Sequence, residues 1–232
     1  SRSWTSDEVY MGKESMASSP APKSRSERRR EDTRRRLMKA TYEIIATRGL
    51  EGLVIQDITE AADVGYGSFY NHFSSKEAIV AAVIDAALAR SSALYENLGT
   101  KASDRVEAFA MELRTCLRQS QCDPVWGWFI LRTMLSGQHL RFTMAERLKR
   151  SIEDGIAAGV FTADDPEMAR HAVGGLLLLG TLKIVSGEVD ENYPERLAGT
   201  ALKSLGVPTR KIQSVLAKPL PDLASTAFLA AA

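Results

Sequence analysis

Apolar positions along this chain recur at helical spacing almost from Thr33 onward. Leu37, Ala40, Thr41, Ile44 and Ile45 form one stripe with a period near 3.6, and Gly49 marks its end. A short segment from Ile55 to Ala62 carries Ile55, Ile58, Ala61 and Ala62 on one face. Asp63, Val64 and Gly65 predict a tight turn. A second short helix, Tyr66 to Phe73, follows with Phe69 and Phe73 one turn apart and facing inward. Ser75 is the expected N-cap of a long helix running to about Asn97, with Ile79, Val83, Ile84, Ala87 and Leu88 apolar. Five more helices are predicted: Asp104 to Ser120, one opened by Asp123 and Pro124, Leu140 to Ala158, Glu167 to Val185, and Pro194 to Leu205. The fold class expected is all-α.

The organisation follows from where periodicity starts and stops. Residues 1–27 are expected to be a disordered arm rich in Ser, Lys and Pro. Residues 28–80 form a helix-turn-helix unit and 81–210 a larger helical unit for ligand binding and dimerisation. Residues 211–232 form a tail, read as a short helix after Pro208 and then loose chain. No uninterrupted apolar run reaches the roughly 18 residues of a membrane span, and the longest, Ala172 to Leu182, contains three glycines.

Charge sharpens the picture at one end. The whole chain is nearly neutral at +1, yet between Lys23 and Lys39 nine basic residues face three acidic ones. A local basic block implies a polyanion met at that end, although a solvated charged tail has the same composition. The stretch "AADVGYGSFYNHFSSKEAI", Ala61 to Ile79, adds the chemistry. Gly65 and Gly67 weaken a helix by about 1 kcal/mol each relative to Ala. Their presence makes sense if backbone must approach a ligand closely. Two short helices and a tight turn form a helix-turn-helix, whose second helix enters a major groove about 12 Å wide. On this reading Gly65, Tyr66, Gly67 and Ser68 face DNA, and Tyr70, His72 and Lys76 reach phosphates. Arg34 of the basic run, Gln56 of the preceding helix and Asn71 complete the candidate DNA-binding set. A plain helical hairpin would account for Phe69 and Phe73, but not for the residues on the other side.

These motifs resemble the amino-terminal domain of the TetR family of bacterial transcriptional regulators. The resemblance covers about Thr33 to Ala81: a basic first helix, "DITEAADVG" as second helix and turn, and "FYNHFSSKEAI" as recognition helix running into the fourth. It implies phosphate contacts by Tyr70, His72 and Lys76, and base or backbone contacts by Tyr66 and Ser68. Leu53 and Val54 stand where the family often has a capping Thr or Ser. The resemblance further implies a divergent helical domain that binds a small molecule, and a homodimer joined by the helix from Glu167 to Val185 and the one around Leu197 to Leu205. The small residues Ala172, Gly175 and Gly180 suit close helix approach, with packing inside one chain as the competing use.

The middle segment is the ligand candidate. Phe109, Leu113, Trp126, Phe129, Met134, Phe142 and Met144 supply aromatic and flexible sulfur side chains suited to an apolar pocket, although any one of them also suits ordinary core. No cofactor or metal is expected, since His139 and His171 lack a third ligand in pattern and Cys116 and Cys122 stand alone. No nucleophile elbow, phosphate loop or metal motif points to an enzyme. The expected protein is cytoplasmic, with no membrane partner. It binds a palindromic double-stranded operator as a homodimer and leaves it when a small apolar or amphipathic effector binds. A ligand-independent or architectural DNA binder is the alternative.

Overall fold

The computed structural model describes residues 24–136 and 138–220, apart from the side chains of 138–142. Among the described residues ten helices succeed one another: α1 Arg25–Arg48, α2 Ile55–Ala61, α3 Tyr66–Phe69, α4 Lys76–Lys101, α5 Arg105–Cys122, α6 Pro124–Ser136, α7 Gln138–Ala157, α8 Pro166–Val185, α9 Tyr193–Ser204 and α10 Thr209–Leu216. There is no strand among the described residues.

Helix α1 begins earlier than the periodicity suggests. Ser24 accepts from the Glu27 backbone N–H while the Glu27 carboxylate takes the Ser24 N–H, a capping box that ties off two otherwise unpaired donors. The last three residues assigned to a disordered arm, 25–27, are therefore helical. The first turns of α1 carry the arginines and stay exposed, and burial begins at Leu37. From there Leu37, Ala40, Ile44 and Ile45 pack with Leu53, Ile58, Phe69, Phe73, Ile79 and Val83 into one core. Phe69 is fully buried, which contributes about 1.5–3 kcal/mol.

That core does not end at the helix-turn-helix. Trp126, Phe129 and Ile130 of α6 belong to it, and the Tyr42 ring of α1 lies 4.8 Å from the Phe129 ring. Helix α6 also packs on α8. A Cβ on Gly127 would stand 2.3 Å from Val185 Cγ1, so only glycine permits this approach. A second core gathers α5, α7, α8, α9 and α10 around Phe109, Phe161, Val173 and Leu202.

The short helix expected after Pro208 is α10, and both α10 and Lys218, two residues past its end, are fastened to α5. Ile212 and Val215 are buried, Lys211 pairs with Asp104, and Lys218 pairs with Glu107, itself only 6% exposed. Arg114 donates to the Lys218 carbonyl at 2.9 Å.

Helix α8 divides its small residues between two jobs. Gly180 faces α9 within the chain, where a Cβ would lie 2.5 Å from Leu197 Cδ1. Ala172 and Gly175 are exposed in a line with Met168, Leu179 and Leu182. The apolar face of α9 (Leu197, Ala198, Ala201, Leu202) is spent inside the chain. Averaged over 18 residues, α4 and α8 reach mean hydropathies of 1.5 and 1.3, so both are long and apolar enough to cross a membrane. The expectation drawn from uninterrupted runs overlooked this. Asp85, Arg90 and Glu96 on α4, and Arg170, His171 and Lys183 on α8, are groups a bilayer would have to desolvate.

Candidate nucleic-acid interface and adjoining cavity

The turn between α2 and α3 is built on Asp63, whose φ of 49° is left-handed, a conformation Asp tolerates better than most residues. The Ile58 and Thr59 carbonyls accept from Ala62 and Val64 and close the turn. The N-cap of α2 is Val54, which makes no side-chain capping bond, as its residue type dictates. The N-cap of α3 is Gly65, whose carbonyl accepts from Ser68 N–H at 2.8 Å.

Phe69 and Phe73 point inward, which leaves Tyr66, Gly67, Ser68, Tyr70 and Asn71 exposed together on the outer side. A Cβ at Gly67 would meet nothing within 4 Å. The Tyr66 and Tyr70 rings meet edge to face at 5.9 Å, with hydroxyls 3.4 Å apart, and each is about half exposed (54% and 51%). The bond to Tyr66 raises the Tyr70 pKa, and the Tyr70 hydroxyl, protonated at neutral pH as any tyrosine is, can donate to an anion.

Helix α1 braces this surface. Arg34 Nη1 donates to the His72 carbonyl at 3.1 Å, and its guanidinium sits 4.2 Å from the Phe73 ring centroid. Arg30 Nη2 donates to the Asn71 carbonyl at 3.4 Å. Arg29, Arg30, Thr33, Asn71 and His72 line one cleft. Burial, then the charges of Arg30 and Arg34, hold the His72 imidazole below its ordinary pKa. Lys76 occupies the first position of α4 and is half-buried. Gln56 is exposed on α2 and donates to Glu60 at 2.8 Å. Of the candidate DNA-binding residues, Gly65, Tyr66, Gly67, Ser68, Tyr70 and Asn71 are exposed together along α3 and its end, His72 joins Asn71 in the cleft with α1, and Arg34 is engaged as a brace. Arg30 was missed, although it belongs to the basic run.

A cavity of about 290 Å³ lies among α4, α5, α6, α7 and α8. Of the candidate ligand residues, Phe109, Leu113, Met134 and Met144 line it. Trp126 and Phe129 do not. They stack at 6.1 Å on the other side of α6, against α1, because a helix apolar nearly all round has two faces to bury. Phe142 and His139 lie outside the described side chains. Arg132 sits over the Trp128 ring at 5.2 Å, away from the cavity.

The cavity's polar lining escaped sequence reasoning. Tyr95, Glu112, Cys116, Arg147, Arg170, His171 and Thr181 contribute to the wall. Arg147 Nη2 donates to Glu112 Oε1 at 3.0 Å, and the guanidinium lies 4.7 Å from the Tyr95 ring centroid. Burial raises the Glu112 pKa against the opposing pull of Arg147. Burial likewise raises Tyr95 and Cys116, which keeps that thiol protonated. A signal was available: Glu112 sits on the same face as Phe109, Leu113 and Cys116, a charge inside an apolar stripe.

A basic helix bracing a helix-turn-helix, followed by a helical domain with a cavity, is the architecture of a DNA-binding transcriptional regulator. Residues 37–83 match the family model for bacterial regulatory proteins of the tetR family, and residues 104–218 match the tetracyclin repressor-like C-terminal domain. The chain belongs to the TetR family. It is 49% identical over 49 residues to the HTH-type transcriptional repressor DhaR of Mycobacterium sp. (strain GP1). That match covers 21% of this chain, and the chain spans only 25% of the length of this curated relative. The crystal structure of RolR in complex with the ligand resorcinol is 30% identical with a TM-score of 0.61, covering 84% of this chain and 98% of that one. A gamma-butyrolactone receptor (ArpA-like protein) superposes with a TM-score of 0.61 over 81% of this chain and 94% of that one; at 20% identity this likeness concerns the fold alone.

Proposed function

We propose that this protein is a cytoplasmic repressor that binds a palindromic operator as a homodimer and leaves it when a small apolar or amphipathic molecule fills the cavity. Residues 28–80 act as the reader, joined by the first turn of α1, and 81–210 as sensor and dimerisation unit. Tyr66, Ser68 and Gly67 meet base edges, with Gly65 and Gln56 beside them. Tyr70, Asn71, His72 and Lys76 hold the phosphate backbone, and Arg34 carries the α1 brace. The exposed α8 line Met168–Ala172–Gly175–Leu179–Leu182 is the apolar surface a second copy would cover.

The observation that carries this reading is the double use of α6. Trp126, Phe129 and Ile130 pack into the reader's core, while Ile130, Leu131 and Met134 line the cavity. Anything that spreads the cavity wall therefore acts on the helix against which α1 rests. Only the effector's differential affinity for the two arrangements can shift DNA binding. This makes α6, more than the connecting helix α4, the natural lever. The relative solved in complex with resorcinol supports a small-molecule ligand for this chain as well.

The test is a selection of bound sites from random DNA, followed by a compound screen on the selected complex. The expected outcome is a two-fold symmetric site released by small uncharged compounds. Sites without symmetry, or a complex indifferent to every compound that binds the protein, would sink it.

A further inference from the structure

The polar part of the cavity wall specifies a chemical class, an inference that rests on the reading of this cavity as the effector site. Glu112 of α5 and Arg147 of α7 meet there through one hydrogen bond, Nη2 to Oε1. Arg147 Nε is buried with no hydrogen-bond partner. Glu112 bonds to no group besides Arg147 among the described residues. The Nε–H and one Nη–H of a guanidinium point along the same edge of its fork. The unfilled donor therefore sits beside a carboxylate with acceptor capacity to spare.

A single hydroxyl answers both needs. Its oxygen accepts from Nε and its hydrogen goes to Glu112. In the gap between Arg147 Nε and Glu112 a carboxylate ligand would press against the like charge of Glu112, and the attraction of Arg170 elsewhere on the wall makes a benzoate the discriminating probe; an ammonium would meet Arg147 and Arg170. A hydrocarbon would leave Nε unpaired. The rest of the wall takes an apolar body: Phe109, Leu113, Ile130, Leu131 and Leu177. The volume of about 290 Å³ leaves room for one substituted ring, since roughly 150 Å³ accepts benzene.

We propose that the cavity takes a neutral, hydroxyl-bearing molecule of about one substituted ring, its hydroxyl seated between Arg147 Nε and Glu112. Calorimetric titration of the full chain with 4-ethylphenol, ethylbenzene and 4-ethylbenzoate tests this. The phenol should bind about tenfold or more tighter than either of the others. Arg147→Lys keeps the charge and removes Nε; it should cost the phenol about tenfold and leave ethylbenzene unchanged. Glu112→Gln, with its fold checked by circular dichroism, should narrow the gap between phenol and benzoate. Equal binding of phenol and ethylbenzene, tighter binding of benzoate, or no binding of the phenol overturns the proposal. Operator binding is measured separately. Phenol binding in the expected order without DNA release leaves this assignment standing and removes the release mechanism. DNA release by benzoate in preference to phenol does the reverse.

Discussion

Arg36 holds Asp63 at two points, through the backbone carbonyl at 2.6 Å and the carboxylate at 3.1 Å. The first helix thereby grips the one non-glycine residue in the left-handed region among those described, at the turn that sets the angle between α2 and α3. The carboxylate is fully exposed, so its ion pair contributes little, and the carbonyl bond carries the grip. Arg36→Ala is expected to cost about 1 kcal/mol. Asp63→Gly keeps the carbonyl and relaxes the turn, so stability should change by less than about 1 kcal/mol. Urea denaturation of both variants and their double mutant measures the coupling.

Gly67 separates function from stability. A Cβ there enters open space and improves helix propensity by up to about 1 kcal/mol, so Gly67→Ala should be at least as stable as the parent. It should also bind operator more weakly, because the added methyl stands where bases approach. A variant that binds as well as the parent would remove Gly67 from the interface.

His72 makes binding depend on pH. Its lowered pKa keeps the imidazole neutral in the free protein just below the usual 6.5. A nearby phosphate favours the cation, so binding takes up a proton and affinity should rise as pH falls from 8 to 6. The sign for folding is opposite. Above 6.5 His72 has no effect; as pH falls through 6.5 the unfolded chain protonates first and stability declines. Anisotropy titrations across pH should show the trend, and His72→Gln should flatten it.

Lys76→Ala is expected to weaken binding to all sequences alike and to reduce the salt slope by about one unit. A changed sequence preference with an unchanged slope would instead make Lys76 a base reader.

Phe129→Leu is expected to cost about 1–2 kcal/mol and to leave effector affinity unaltered, because Phe129 faces Tyr42 and not the cavity. Calorimetry with the same small molecule on both proteins decides it.

The order of helices and the reader's inner face could be read from the chain because each rests on local spacing. Leu37, Ile45, Phe69 and Phe73 fall one or two helical turns apart, and their burial needs no knowledge of the partner. The start of α1 was also written locally, as Ser24 and Glu27, but arginines surround that signal and suppress its periodicity. The Trp126–Phe129 side of α6 was not legible. A helix apolar on all sides declares that it is buried, not which face meets which neighbour. Glu112 and Arg147 come together across 35 positions, a distance no helical period spans. The fastening of α10 is likewise long-range, since Lys218 and Glu107 meet only once α5 and the tail are in place.

The absence of any side chain at Gly127 has a mechanical meaning. Where Val185 rests almost on the α6 backbone, nothing between the two helices can be compressed. On the proposed coupling through α6 the two helices would act as one beam, and a load applied at Leu131 or Leu178 would turn both together instead of being absorbed in the gap. Gly127→Ala would wedge the beam open and leave a joint with play in it: a protein that still binds its small molecule, still finds its DNA, and no longer reports one to the other.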